Sequence, residues 1–231
     1  MASWIIHLRV AQTLMDTLPT VGDVTAFAVG NIAPDSGAPN PDGVGYTPSK
    51  DTTHFQTVDE TGVKDIRPAD FMAAYLTEEQ VGRYTPRQYG FYLGYLSHLV
   101  TDQLWADEIV FPARDANREW FLSDKEGFFA HLKRDWYDLD CVYLMHHPDF
   151  PAYRAYAEAV GFRNDFMEMF PAQVFDVRRQ AILEFYRQRM ATVDEHRPMH
   201  VTNERLDAFV RSTAARIAAL AQSVGCPAAM T

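Results

Sequence analysis

The segment Tyr89-Gly-Phe-Tyr-Leu-Gly-Tyr-Leu-Ser-His-Leu-Val-Thr-Asp-Gln-Leu-Trp105 constrains the fold of this chain more than any other. Read at helical period it is apolar nearly all round, which places it in the middle of a helical bundle rather than on its surface. Thr85-Pro86-Arg87-Gln88 provides a capping box with proline at the first helical position, so the helix starts there and runs to about Trp105. His98 and Asp102 are the polar interruptions. They stand four apart, so both project from one face with Cβ atoms about 6 Å apart. Burying a carboxylate at such a place costs on the order of several kcal/mol unless a positive group compensates. A buried His–Asp hydrogen bond and a bound metal ion both meet that need.

Elsewhere apolar residues also recur at helical spacing, strict alternation is rare, and no fixed-period repeat occurs. The expected fold class is all-α, with 231 residues and 47% hydrophobic content building one domain over residues 1–231. Helices are expected from about Trp4 to Thr17, Gly22 to Ala28, Pro68 to Gln80, and from a capping box at Ser123-Asp-Lys-Glu126 to about His147. Further helices are expected over about 150–160, 172–190 and 203–223, as packing elements. Between Asn31 and Asp65 lies a long irregular segment rich in Pro, Gly, Asp and Thr, and a loop of that length in a compact domain is either functional or disordered.

That segment matters because of what it carries. Asp35 follows Pro34 in a Gly-flanked loop, and His54 sits where the chain leaves the irregular stretch. On the capping-box helix, Phe128-Phe-Ala-His-Leu-Lys-Arg-Asp-Trp136 repeats the earlier device, with His131 and Asp135 four apart among aromatic residues. His7 lies on the first helix. Taken singly, each reads as a turn aspartate, an exposed histidine or a polar residue at the core edge. Taken together they form an imidazole and carboxylate set without thiolates, suited to zinc and tolerant of manganese or iron.

The order His7, Asp35, His54, His98-x-x-x-Asp102, His131-x-x-x-Asp135 resembles the ligand set of the zinc-dependent phospholipase C and S1/P1 nuclease superfamily, over roughly residues 1–140. The resemblance implies a helical bundle of that type and two or three zinc ions. It makes Asp102 a bridge, with Asp35, His54 and His98 completing one metal. His7 with the N-terminal group would hold a second, and His131 with Asp135 a third. Where the family carries a further histidine, this chain reads Asp107-Glu108, so Glu108 takes the matching offset and would make the third site oxygen-rich. The family's terminal tryptophan is matched only by the internal Trp4. Asp35 is the implied residue for orienting or deprotonating the hydrolytic water. Phe55, Tyr92, Tyr95 and Trp105 read either as core or as an apolar wall to the site.

Thirty-one acidic against 21 basic residues give a formal charge of −10, which argues against long nucleic acids and leaves a small phosphodiester or a phospholipid head group as the expected substrate. Cys141 and Cys226 lack zinc-finger spacing and disulfide density, the start lacks a signal-peptide pattern, and no stretch is of membrane-spanning length. A cytoplasmic location is the expectation. Adjacent His-Asp, Glu-x-x-His and Gly-x-Ser-x-Gly signatures are absent, which removes three other hydrolase and di-iron readings. The alternative from another class is a helical metal-binding scaffold whose histidines only staple helices.

Overall fold

In the computed structural model, which describes residues 1–58, 60, 64–194, 197, 199 and 201–227, helices form nearly all the regular structure. In chain order they are α1 (Trp4–Thr17), α2 (Val24–Gly30), α3 (Lys50–Thr53), α4 (Pro68–Tyr75), α5 (Glu78–Arg83), α6 (Pro86–Trp105), α7 (Phe111–Ala116), α8 (Arg118–Ser123), α9 (Lys125–His146), α10 (Pro151–Ala157), α11 (Val174–Met190) and α12 (Asn203–Val224). A 3-10 turn spans Ala33–Ser36 and a π-helical turn spans Ala106–Val110. Among the described residues no helix is long and apolar enough to cross a membrane.

The irregular segment is ordered into small pieces. β1 (Ala38–Pro39) pairs antiparallel with β2 (Tyr46–Thr47), β3 (Gln56–Val58) with β4 (Lys64–Ile66), and α3 lies between the two ribbons. The helix expected from Pro68 to Gln80 is two helices, because Thr77 makes a complete capping box with Gln80 and starts α5 afresh. The cap of α9 is Asp124, whose carboxylate accepts from Gly127 N–H at 2.9 Å, while Ser123 ends α8. The box at Thr85 and Gln88 forms as expected and opens α6.

Helix α6 runs through the centre, buried along most of its length, and its closest partner is α2. Glycine makes that approach geometrically feasible. A Cβ on Gly94 would stand 2.3 Å from Phe27 O, and one on Gly30 would stand 2.2 Å from Phe91 O. The backbones therefore touch without side chains between them, which delivers the end of α2 to the face of α6 that carries His98. Helix α1 is buried from Ile5 through Ala11 and packs between α6, α10 and α12, so His7 has no route to the surface. The buried core draws on residues from Ala2 to Val224.

Candidate metal centre

His98 and Asp102 face into the bundle from α6, both fully buried. His98 Nδ1 stands 2.8 Å from the carbonyl of Asn31, which follows α2. A carbonyl can only accept, so Nδ1 carries the proton and the lone pair of the neutral ring is on Nε2. That Nε2 points at Asp102 Oδ2, 3.4 Å away.

The irregular segment supplies the next two residues. At the end of α3, His54 places Nδ1 at 3.1 Å from Lys50 O and 3.0 Å from the Thr53 hydroxyl, which again turns Nε2 inward. Phe55 follows in the left-handed region at φ 49, a conformation that costs a non-glycine residue about 1 kcal/mol or more, and it turns the chain sharply away just after His54. His54 Nε2 then lies 3.3 Å from His98 Nε2, 3.6 Å from Asp102 Oδ2 and 3.6 Å from Asp35 Oδ1. Asp35 is carried by the 3-10 turn, where its Oδ2 accepts the indole N–H of Trp4 at 2.9 Å and its Oδ1 lies 3.7 Å from Lys50 Nζ.

The N-terminal residues close the other side. His7 stacks on His98, ring centroids 3.9 Å apart and planes within 4°, with Nε2 3.4 Å from Asp102 Oδ1. Ala2 N–H donates to the same Oδ1 at 2.6 Å. One residue on, Ser3 donates to Asp140 Oδ1 at 2.8 Å, and Tyr186 donates to Asp140 Oδ2 at 2.5 Å. The first residues are thus held between two buried aspartates, Asp102 of α6 and Asp140 of α9.

Electrostatics follow from these neighbours. Burial and the adjacent His98 lower His7 to about 4. Burial works against the charge on Asp102, but the α-amino group, His98 and the imidazole contacts outweigh it and hold the carboxyl well below the usual range. At Asp35 burial is likewise outweighed, by the His54 hydrogen bond and by His98 and Lys50, so it too stays ionised. His98 is raised despite its burial, because Asp102 favours its protonated form. Asp140 is the opposite case: burial dominates its hydroxyl hydrogen bonds and lifts it to about 7.

Both nitrogens of His7 and Oδ2 of Asp102 are buried without a hydrogen-bond partner. An unpartnered buried polar atom costs roughly 1–3 kcal/mol, and here three of them border the paired Nε2 lone pairs of His54 and His98. One nitrogen of the neutral His7 ring is an N–H and the other a lone pair, so the lone pairs of the three imidazoles and Asp102 Oδ2 converge, an arrangement satisfied by a proton on one imidazole or by a cation. Among the described residues two groups have ligand atoms all within 4.8 Å of one another: His7, His98 and Asp102, and Asp35, His54 and His98. They share His98, yet one imidazole nitrogen has one lone pair. Asp102 is chemically the better shared residue, since Oδ1 faces His7 while Oδ2 faces His54 and His98.

The remaining candidates sit elsewhere. The wider π turn after α6 carries Glu108, whose Oε1 lies 3.3 Å from Arg216 of α12. Asp135 is fully buried and ion-paired with Arg197 at 2.7 Å. His131 is partly exposed, 3.8 Å from Asp135 and edge-on to Trp120. Among the described residues Glu108, His131 and Asp135 form no ligand group, and guanidinium charge faces both acids. Of the four aromatics, Phe55 and Tyr95 pack against each other close to His54, whereas Trp105 packs on Trp136 and Phe209 and Tyr92 on Tyr75 and Phe166. Trp105 and Tyr92 are core residues. Sequence reasoning missed Ser3, Lys50, Asp140 and Tyr186, and met Trp4 only as the internal counterpart of the resembled family's terminal tryptophan. The only signal was the run Asp138-Leu-Asp140 inside an apolar helix stretch, which demanded partners without naming them.

Comparison of the chain with protein-family models, curated proteins and solved structures returned no match.

Proposed function

We propose that this chain is a metal-dependent hydrolase of phosphate esters, with zinc held at the buried cluster. The observation that carries the reading is the convergence in the interior of His54 Nε2, His98 Nε2 and Asp102 Oδ2 beside the His7 ring, which contributes one further lone pair and has no hydrogen-bond partner. Imidazole and carboxylate ligands without thiolate suit zinc. Asp35, His54 and His98 would hold one ion and His7 a second, with Asp102 common to both as the sequence resemblance implies. When bound, a zinc pair supplies Lewis acidity toward water and the phosphoryl oxygens.

The chain's own residues divide the remaining work. The carbonyls of Asn31 and Lys50 fix the imidazole tautomers, so that both rings offer Nε2 without reorganisation. Asp35 is the least enclosed of the carboxylates at the cluster; held ionised by His54, His98 and Lys50 and hydrogen-bonded to the Trp4 indole, it orients an attacking water by accepting a hydrogen bond from it. Lys50, a third exposed beside Asp35, offers a cation where an anionic substrate arrives.

The complete burial of His7, His54, His98 and Asp102 favours a second reading, a non-catalytic scaffold in which metal staples α1, α3 and α6. One experiment separates them. Elemental analysis of protein purified without chelator, together with hydrolysis of bis(p-nitrophenyl) phosphate before and after chelation, is expected to show two zinc-like ions and metal-dependent turnover. Metal without turnover on any phosphate ester supports the scaffold; no stoichiometric metal after reconstitution removes both.

A further inference from the structure

Between α9 and α11 lies a cleft of about 520 Å³, within the usual size of a small-molecule site, with Lys133, Arg134, Arg189, Arg197, Tyr137 and Phe185 on its walls. Its charge runs against that of the whole chain. Among the described residues four cations face two lining carboxylates, Asp138 and Asp194, and the positive excess survives counting Asp135, which Arg197 reaches behind the wall. In a chain with 31 acidic and 21 basic residues that is a local reversal.

Two of the guanidiniums are already fixed. Arg189 donates to Asp138 Oδ1 at 2.7 Å and to Arg134 O at 3.1 Å, and stands 5.6 Å from the centre of the Tyr137 ring. Arg197 donates to Asp138 Oδ2 at 2.6 Å and pairs with Asp135. Both guanidiniums are ordered before any ligand arrives but already face Asp138 and Asp135, so they supply fixed positive charge at the cleft wall while the rim cations make the first contact with an anion. Lys133 and Arg134 are exposed at the rim. The cleft also adjoins the metal cluster: Tyr137 and Phe185 pack on the Trp4 ring, at centroid distances of 6.0 and 5.5 Å, and the indole N–H of Trp4 is bonded to Asp35. One indole separates the cleft wall from the cluster.

We propose that this cleft is a second anion subsite, which takes a phosphate carried by the substrate beyond the ester being cleaved. Arginine forks recognise phosphate oxygens through paired charge-assisted hydrogen bonds, and the aromatic wall beneath them keeps water from competing on one side. The substrate class is a phosphodiester with an additional phosphate monoester, a chemistry found in nucleotides and in phosphorylated lipid head groups. The assignment of substrate rests on the phosphoesterase reading above; the anion site itself does not.

The test has two arms. Calorimetric titration of pyrophosphate into the full chain in chelator reads the cleft alone, and Lys133→Glu and Arg134→Glu should each weaken binding roughly tenfold, as loss of one charge-assisted contact does. Lys133 is exposed and its variant should melt with the parent; Arg134 is exposed too but lies 3.9 Å from Asp138 Oδ2, and if its variant melts early, Lys133→Glu carries the test. No pyrophosphate binding by the parent, or unchanged affinity in a well-folded variant, overturns the proposal. In the kinetic arm, the metal-loaded enzyme is given a dinucleotide and a glycerophosphoinositol, each with and without an extra phosphate. The ratio of kcat/KM for the phosphorylated over the plain form should exceed one for one pair, which identifies the source, and should fall in Arg134→Glu. Equal ratios in parent and variant overturn it. If no ester is cleaved at all, the phosphoesterase reading fails and the titration still decides the cleft.

Discussion

Helices α6 and α9 carry the same device, a histidine and an aspartate four apart with the carboxylate fully buried, and they use it differently. Asp102 of α6 meets three imidazoles and a backbone N–H, yet its Oδ2 is left without a hydrogen-bond partner. Asp135 of α9 meets the Arg197 guanidinium, a permanent cation. A third buried aspartate, Asp140, meets hydroxyls from Ser3 and Tyr186, and burial lifts its pKa to about 7. The residue type is constant; the neighbour decides whether the site could take a metal, is already neutralised, or holds a proton.

The comparison breaks most visibly at Asp102. Asp102→Asn removes the charge that two dications would share, so zinc content should fall toward none and turnover on the order of 100-fold or more. The zinc-induced rise in melting temperature should vanish with it. Full metal content in this variant would show that the cluster is held by other residues.

Arg197→Met asks the converse question at α9. It withdraws guanidinium charge from Asp135 and Asp138 together, which should destabilise the fold by about 3 kcal/mol in urea denaturation while leaving zinc content unchanged. Loss of zinc from this variant would instead tie α9 to the metal centre.

Asp140 sharpens the contrast through pH. Its folded pKa of about 7 lies above the ordinary value of 3.8, so the folded state holds the extra proton between those values. Stability from this group is full at the acid end and is lost as pH rises through the window, by at most ~1.4 kcal/mol per unit. His7, lowered to about 4, contributes in the opposite sense, losing stability as pH falls from 6.5. The isosteric Asp140→Asn removes the first slope only, so the stability of the variant relative to the parent should climb with pH from about 4 to 7. Parallel stability profiles would mean that Asp140 is ionised throughout.

The smallest effect is expected at Glu108. It shares a partly exposed ion pair with Arg216, so Glu108→Ala should cost about 0–1 kcal/mol and remove no zinc. Loss of one metal equivalent would restore Glu108 to the ligand set and join the two regions that the structure separates.

Local physics made much of the fold legible. Helix α1 spans Trp4–Thr17 as its apolar period indicates, and α6 begins at the Thr85 cap because cap, proline and capping glutamine all lie within the four residues Thr85 to Gln88. The break at Thr77 is as local, since the Thr77-Glu-Glu-Gln80 capping box that starts α5 stands in the sequence itself. That His98 and Asp102 share a face follows from helical geometry alone, and so does the same statement for His131 and Asp135. Nothing within either helix states which partner arrives from elsewhere. The Asn31 carbonyl reaches His98 only because Gly30 and Gly94 let two backbones touch, and Arg197 reaches Asp135 across 62 positions of sequence. A helix fixes the direction of its side chains through hydrogen bonds four residues long, whereas the charge that meets a buried carboxylate is fixed by packing between distant segments, and only the tertiary structure sets that.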